Sequence, residues 1–326
     1  MIISQTPLRM SFVGGGSDLP AFYKAHGGAV ISTAIDKYVY VTVNKKFDDW
    51  IRGSYSKTEE VESVAQLDHK IVRAALGKLG IRGGVEITSV ADIPSRGTGL
   101  GSSSSFTVGL LHALSAYQGR QMSPGELAAE SCSVEIDLCG ERIGKQDQYA
   151  AAYGGLNMIR FNSDDSVILE PIICRTDLIQ QLESSIIVFY TGMTRNASPI
   201  LATQSQQIED DRCSRDAILR MVQLAHHLRD ELHSHNLAAF GEILHENWML
   251  KRSLISGISS SAIDECYDRA RAAGASGGKL LGAGGGGFLM FFAPPDRHGA
   301  IERALPGLRK VEFHFEPRGS RIILFH

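Results

Sequence analysis

The sequence has 326 residues, enough for two domains of ordinary size. Hydrophobic residues at 43% and charged residues at 21% belong to a globular chain and exclude a disordered one. With 33 Lys and Arg against 36 Asp and Glu, the net charge of −3 leaves no basic excess for nucleic acid as a main partner. The densest apolar run, residues 288–293, is strand-sized and far short of a membrane helix. The N-terminus has no basic region followed by a long apolar core, so no signal peptide is expected and the expected location is cytoplasmic. Cys132, Cys139, Cys174, Cys213 and Cys266 are widely spaced without a C-x-x-C pair. That argues against a disulfide framework or a zinc site and fits a reducing compartment.

In chain order, β-branched and aromatic residues predict a strand over 30–43 and a shorter one over 85–90. Residues 102–117 predict a helix with Phe106, Leu110, Ala113, Leu114 and Tyr117 on one face. Ser123-Pro124-Gly125-Glu126 has capping-box spacing with Pro at the first helical position. The composition shifts over 165–180, which is the expected domain boundary. Beyond it, 185–190 reads as a buried strand, 198–251 as two or more amphipathic helices, and 261–273 as another helix. A glycine-rich turn, a strand over 288–292, a helix near 296–305 and strands near 311–315 and 322–325 follow. The elements are mixed, without the regular alternation of a doubly wound sheet.

Three glycine clusters stand far apart: Val13-Gly14-Gly15-Gly16-Ser17-Asp18, Gly97-Thr98-Gly99-Leu100-Gly101-Ser102-Ser103-Ser104-Ser105, and Gly282-Ala283-Gly284-Gly285-Gly286-Gly287. Glycine lets a backbone turn at positive φ and approach a ligand closely. The middle cluster opens a helix, where free N–H groups and the helix dipole make an anion site. No G-x-x-x-x-G-K-[ST] occurs, and no G-x-G-x-x-G follows the first strand. Glu135 and Asp147, one read as helix-borne and one as loop-borne, suit phosphoryl transfer, which needs a carboxylate on Mg²⁺ and often a second beside the attacking hydroxyl.

Pro94-Ser95-Arg96-Gly97-Thr98-Gly99-Leu100-Gly101-Ser102-Ser103 resembles the phosphate loop of the GHMP kinases. Pro7-Leu8-Arg9 through Gly14-Gly15-Gly16-Ser17-Asp18 resembles their N-terminal substrate motif, and Lys279-Leu280-Leu281 with the third glycine cluster resembles their C-terminal motif. Within the family, three further segments resemble the D-glycero-D-manno-heptose 7-phosphate kinases. They are residues 144–155, Tyr190-Thr191-Gly192-Met193-Thr194-Arg195, and His245-Glu246-Asn247-Trp248 with Lys251-Arg252.

The resemblance implies a two-domain α+β fold. Residues 1–170 would be similar to ribosomal protein S5 domain 2, and 171–326 would be ferredoxin-like, with the site between them. It implies nucleotide phosphates on Gly97, Gly99, Leu100, Gly101, Ser102, Ser103 and Ser104, and Mg²⁺ on Ser103 and Glu135. It implies that Asp147 faces the sugar hydroxyl and that Arg9 holds the nucleophile and the γ-phosphate. Gly15, Gly16, Ser17, Asp18, Gly284 and Gly285 would bind the substrate. Four consecutive serines leave the metal register open between Ser102 and Ser103. The implied activity is ATP- and Mg²⁺-dependent phosphorylation of the anomeric hydroxyl of heptose 7-phosphate to the 1,7-bisphosphate, for nucleotide-heptose and surface polysaccharide synthesis. The expected partner is a small sugar phosphate, with no nucleic acid and no membrane, and a homo-oligomer is compatible with it. Rival readings are a fucose- or galactose-type kinase and a non-catalytic sugar and nucleotide sensor. The presence of both acids weighs against the sensor.

Other residues read plainly. His226, His227, His233 and His235 show no H-E-x-x-H and suit surface or packing roles. Glu209-Asp210-Asp211-Arg212 reads as a solvated helix face, Trp248 as core, and Lys279 as a cation that snorkels. Arg142, Lys145, Arg195, Lys251 and Arg252 are candidates for a remote substrate phosphate.

Overall fold

Gly28–Lys45 forms one 18-residue strand, and the first half of the chain is built around it. Its Val, Ile, Thr and Tyr content suits a half-buried pleated surface. The computed structural model describes residues 1–93, 97–193 and 197–326, without the side chains of Ala197 and Ser198. The elements of the first half are β1 (Ile2–Val13), α1 (Pro20–His26), β2 (Gly28–Lys45), β3 (Ile51–Ser54), β4 (Thr58–Val61), α2 (Lys70–Lys78), β5 (Val85–Ala91), α3 (Ser102–Tyr117), α4 (Pro124–Cys132), α5 (Gln146–Tyr153), β6 (Leu156–Phe161) and β7 (Val167–Pro171). Those of the second are α6 (Thr176–Ser184), β8 (Ile186–Tyr190), α7 (Ala197–Asp210), α8 (Arg212–His233), α9 (Phe240–Ser253), α10 (Ser261–Ala272), β9 (Gly277–Leu280), β10 (Phe288–Phe292), α11 (Pro295–Ala304), β11 (Arg309–Val311) and β12 (Arg321–Phe325).

The first sheet runs β12-β1-β2-β5-β3-β4. The start of β2 also pairs with β6, while its end pairs with β5. The sequence pattern gave no expectation of a strand at β1. It is buried along nearly its whole length, so it lacks the alternation of a half-exposed strand. The second sheet runs β11-β8-β10-β9, antiparallel throughout. Helix α9 touches β9 of the second sheet and β1 of the first, and so carries its side chains into the junction.

Helix α3 is present with the expected bounds, but it is buried almost all round rather than on one face. β1 and β2 cover one side, and α2, α4 and α5 pack elsewhere on it. Ser4 Oγ donates to Gly109 O at 2.7 Å, an approach that a side chain at Gly109 would block. The capping box at Ser123 and Glu126 forms as expected. Glu209, Asp210 and Arg212 are exposed, as expected, but Asp211 lies between two helices rather than on a helix face. Its carboxylate accepts from Cys213 N and Ser214 N, capping α8 and separating it from α7.

The division expected at 170/171 falls at the last residue of β7. The chain then crosses back: β12 pairs with β1, and Phe315 bridges Ile35. The final residues of the second half therefore complete the first sheet. The strand expected over 311–315 is Arg309–Val311. Among the described residues no helix is long and apolar enough to cross a membrane.

Candidate active site

The middle glycine cluster turns at positive φ at Gly97, Gly99 and Gly101, with values of 68°, 78° and 77°. Gly101 is the N-cap of α3, and no side chain caps that helix end. Its first-turn N–H groups are thus left for an anion. The third cluster packs on this loop, backbone to backbone. A Cβ on Gly99 would meet Leu281 O at 2.3 Å, and one on Gly282 would meet Gly99 Cα at 2.3 Å. Glycines in both strings are what lets the two chain segments touch.

Glu135 sits on a π-helical turn, Ser133–Leu138, that extends α4. Its side chain is buried. Ser103 Oγ donates to Oε1 at 3.1 Å and Gln148 Nε2 donates to Oε2 at 2.6 Å. Burial pushes its carboxyl up to about 7, against the stabilising hydrogen bonds from Ser104, Gln148 and Ser103. Among the described residues it has no cationic partner in an ion pair. A buried carboxylate beside a hydroxyl is an oxygen donor set that suits a hard divalent cation such as Mg²⁺. Of the two serines left open by the sequence, the structure brings Ser103 to Glu135. Ser102 turns inward, 3.4 Å from Thr98 Oγ1. Ser104, the residue after Ser103, also hydrogen-bonds the Glu135 carboxylate.

Asp147 lies in the first turn of α5, not in a loop. Arg9 from β1 grips it at both oxygens, Nε to Oδ1 at 2.7 Å and Nη2 to Oδ2 at 2.8 Å, and Nη1 donates to Gly99 O at 2.7 Å. Gly101 lies over the pair, because a Cβ there would be 3.3 Å from both Arg9 Cγ and Asp147 Oδ2. Asp18 accepts from Gly16 N and Gln146 Nε2, each at 3.0 Å. Burial, and then the Asp147 charge, raise its carboxyl above the ordinary range.

These groups line one cavity of about 830 Å³, to which all three glycine clusters contribute, through Gly15, Gly16, Gly97, Gly99, Gly101 and Gly282. Asp18, Arg9, Asp147, Lys251 and Gln204 form its polar end. The lining also includes an aromatic and apolar end, with Tyr55, His69, Ile71, Ala91 and Phe106. There the His69 ring lies 4.4 Å from Tyr55 and 5.3 Å from Phe106. No motif in the sequence marked that end.

Several expected ligand contacts are placed elsewhere. Gly284 and Gly285 pack on Ile258, with Gly285 N donating to its carbonyl at 2.9 Å, and it is Gly282 and Ala283 that line the cavity. The Ser17 hydroxyl is spent inside its own turn, on Gly14 O and Ala29. The Leu100 side chain is in the core, and its carbonyl accepts from Arg9 N. Lys279 does not snorkel: it is 1% exposed, and Nζ donates to Ser11 O and Phe12 O. Of the cations considered for a remote phosphate, Lys145 pairs with Asp165, Arg252 pairs with Asp264, and Arg142 is exposed. Lys251 lines the cavity. Pro94, Ser95, Arg96, Thr194 and Arg195 lie outside the described residues. Trp248 is core, as expected. His233 and His235 are exposed, and His227 pairs with Glu231.

Residues 65–155 match the model of the GHMP kinases N terminal domain, and residues 228–308 match that of the GHMP kinases C terminal domain. The D-glycero-alpha-D-manno-heptose 7-phosphate kinase of Campylobacter jejuni is 28% identical over 319 residues, which cover 93% of each chain. The crystal structure of a D-glycero-D-manno-heptose 1-phosphate kinase from Bacteroides thetaiotaomicron superposes with a TM-score of 0.82 at 26% identity over 100% of both chains. The bifunctional fucokinase/GDP-fucose pyrophosphorylase of Arabidopsis thaliana is 27% identical over 343 residues, covering 96% of this chain and 31% of that protein. Both domain models fall on the chain in order, and the first match holds the glycine loop, Glu135 and Asp147. This chain belongs to the GHMP kinase family.

Proposed function

We propose that this chain is an ATP- and Mg²⁺-dependent, cytoplasmic kinase that phosphorylates the anomeric hydroxyl of D-glycero-D-manno-heptose 7-phosphate to the 1,7-bisphosphate, for nucleotide-heptose and surface polysaccharide synthesis. The observation that carries the reading is the Arg9–Asp147 pair lying directly beneath Gly101, where the phosphate loop meets the polar end of the cavity. A phosphoryl group on the loop and a hydroxyl on Asp147 are then neighbours. The heptose phosphate in the names of the Campylobacter and Bacteroides proteins supports the substrate.

In this reading the N-terminus of α3 holds the nucleotide phosphates, and the base lies among Tyr55, His69, Ile71 and Ala91. Mg²⁺ would be held by Glu135 and Ser103, and when bound it neutralises phosphate charge. Each Asp147 oxygen accepts from Arg9 with one lone pair and keeps another. The anomeric O–H donates to one of these. The sugar oxygen attacks the γ-phosphorus, the bond to the bridging oxygen breaks, ADP leaves, and the hydroxyl proton passes to Asp147. Arg9 has five N–H donors, three of them engaged in the free protein, so others remain for the transferring group. Its charge offsets the one that develops in the transition state.

A panel of sugars and sugar phosphates with ATP, reading ADP release and product by NMR, tests the proposal. Heptose 7-phosphate should be turned over best, with phosphate added at C1. Equal or better turnover of free fucose or galactose would move the assignment to those kinases. Binding of sugar and nucleotide without turnover would move it to a sensor.

A further inference from the structure

The polar end of the cavity carries donors that phosphoryl transfer does not use. Ser11 Oγ and Gln204 Nε2 are buried, 5% and 1% exposed by residue, and meet no hydrogen-bond partner among the described residues. Lys251 is 6% exposed, and its Nζ gives one hydrogen bond, to Gly282 O at 2.6 Å. Among the described residues no carboxylate lies within ion-pair distance of it. All three residues line the cavity.

They converge on the Gly15-Gly16 turn. A methyl group built on Gly15 would sit 3.6 Å from Lys251 Nζ and 4.0 Å from both Ser11 Oγ and Gln146 Nε2. One built on Gly16 would sit 2.3 Å from Gln204 Nε2. The carboxylates nearby act on the ammonium through space, Asp18 foremost, but none pairs with it among the described residues. Arg9 is held by Asp147, and Lys279 stands behind Ser11 without a carboxylate partner among the described residues. Asp18 is bound by Gly16 N and Gln146. A buried ammonium with spare protons, a buried hydroxyl and a buried amide are donors waiting for acceptors. Sugar hydroxyls could satisfy the neutral donors. Only an anion also balances the ammonium, and a phosphate monoester brings three acceptor oxygens with the charge.

We infer that Lys251, Ser11 and Gln204, gathered around the Gly15-Gly16 turn, form the subsite for the phosphate the sugar already carries and set the preference for a phosphorylated over a free sugar. The inference rests on the heptose phosphate reading above and names the residues that would enforce it. Helix geometry supports it: Asn247, one turn before Lys251 on α9, accepts from Gly14 N at 3.1 Å and holds the glycine turn against the same helix face.

The test compares kcat/KM for heptose 7-phosphate and for free heptose in the wild type, Lys251→Met, Gln204→Leu and Gly15→Ala. Gly15 is not at positive φ, and its added methyl meets only ordinary contacts, so Gly15→Ala should fold while filling the space among the donors. The wild type should strongly prefer the phosphorylated sugar. Lys251→Met should shrink that preference by roughly 10- to 100-fold, mainly through KM for the sugar phosphate, the size of one charge-assisted contact. Gly15→Ala and Gln204→Leu should shrink it in the same sense. KM for ATP should stay within about twofold. A preference unchanged in the variants that fold overturns the subsite, whichever those are. An equal rise in KM for ATP also overturns it, since Lys251 would then serve only to pin Gly282 against the phosphate loop. A wild type with no preference for the phosphorylated sugar instead overturns the heptose phosphate reading.

Discussion

Arg9 and Asp147 stand 138 positions apart in the chain, yet share two parallel hydrogen bonds of 2.7 and 2.8 Å. A planar guanidinium fork on a carboxylate fixes both groups at once. The third Arg9 bond, to Gly99 O, ties the pair to the phosphate loop. The two side chains should therefore act as one unit. Asp147→Asn should lower turnover by roughly 10²- to 10⁴-fold, the usual worth of a general base. Arg9→Lys should also be severe, because lysine cannot reproduce the fork. The double variant should lose little beyond the worse single one. Losses that simply multiply would show two independent roles, and an Asp147→Asn enzyme with more than about a tenth of wild-type turnover would remove Asp147 as the base.

Glu135 is a buried acid whose hydrogen bonds all come from neutral groups. Glu135→Gln should raise the Mg²⁺ concentration needed for activity. It should also make the ligand-free protein more stable at neutral pH, by on the order of 1–3 kcal/mol, because a buried charge is removed. Gln148 Oε1, which has no partner among the described residues, can accept from the new amide if the Gln148 side chain flips. Thermal melts with and without Mg²⁺ check this. Mg²⁺ should stabilise the wild type and have little effect on the variant. Ser103→Ala should raise the Mg²⁺ requirement mildly, whereas Ser102→Ala should not.

Lys251 gives a pH signature. In the free protein, burial lowers its ammonium from 10.5 to about 8, and Arg9 pushes the same way. Asp18 from the glycine turn and Asp147 from α5 pull it back up, and Lys279 on β9, itself pushed well below the ordinary lysine range by burial and then by Lys251, is the other amine nearby. Below about pH 8 Lys251 is charged, and above it the proposed subsite loses its cation. So kcat/KM for the phosphorylated sugar, which reports the free enzyme, should fall above about pH 8. The kcat should stay flatter, since a bound dianion holds the proton in place. The folded value lies below the unfolded one, so the charged lysine opposes folding. That penalty is full below about pH 8 and fades towards 10.5. Lys251→Met should thus melt higher than the wild type at pH 7 without ligand, with the gap closing at alkaline pH. An alkaline limb of equal size in Lys251→Met would assign it to another group.

Gly99→Ala should damage nucleotide binding from outside the chemistry. Its φ is +78°, and the new Cβ would meet Leu281 O at 2.3 Å, so the phosphate loop and the third glycine cluster could not keep their contact. KM for ATP should rise at least tenfold, with a loss of stability of about 1–3 kcal/mol. Normal ATP kinetics in this variant would mean that the two clusters need not touch.

What the amino-acid order determined by itself was local. Glycines at alternate positions, a serine run and a helical apolar pattern together specify the 97–117 loop and helix, and the capping box specifies the start of α4. These signals lie within a few residues of the structure they produce, and the resemblance of the three glycine motifs to those of the GHMP kinases was legible in the same local way. β1 left no such trace, because a strand buried on both faces has no alternation, and this one also contains Pro7 and Arg9. Tertiary structure alone decided which of Ser102 and Ser103 faces Glu135, that Gly282 rather than Gly284 lines the cavity, and that Lys279 is wholly buried. It alone brought Gln204 from α7 and Lys251 from α9 to a turn near residue 15. Those contacts depend on how two sheets and the helices between them pack, and no pattern confined to one stretch of chain carries that information.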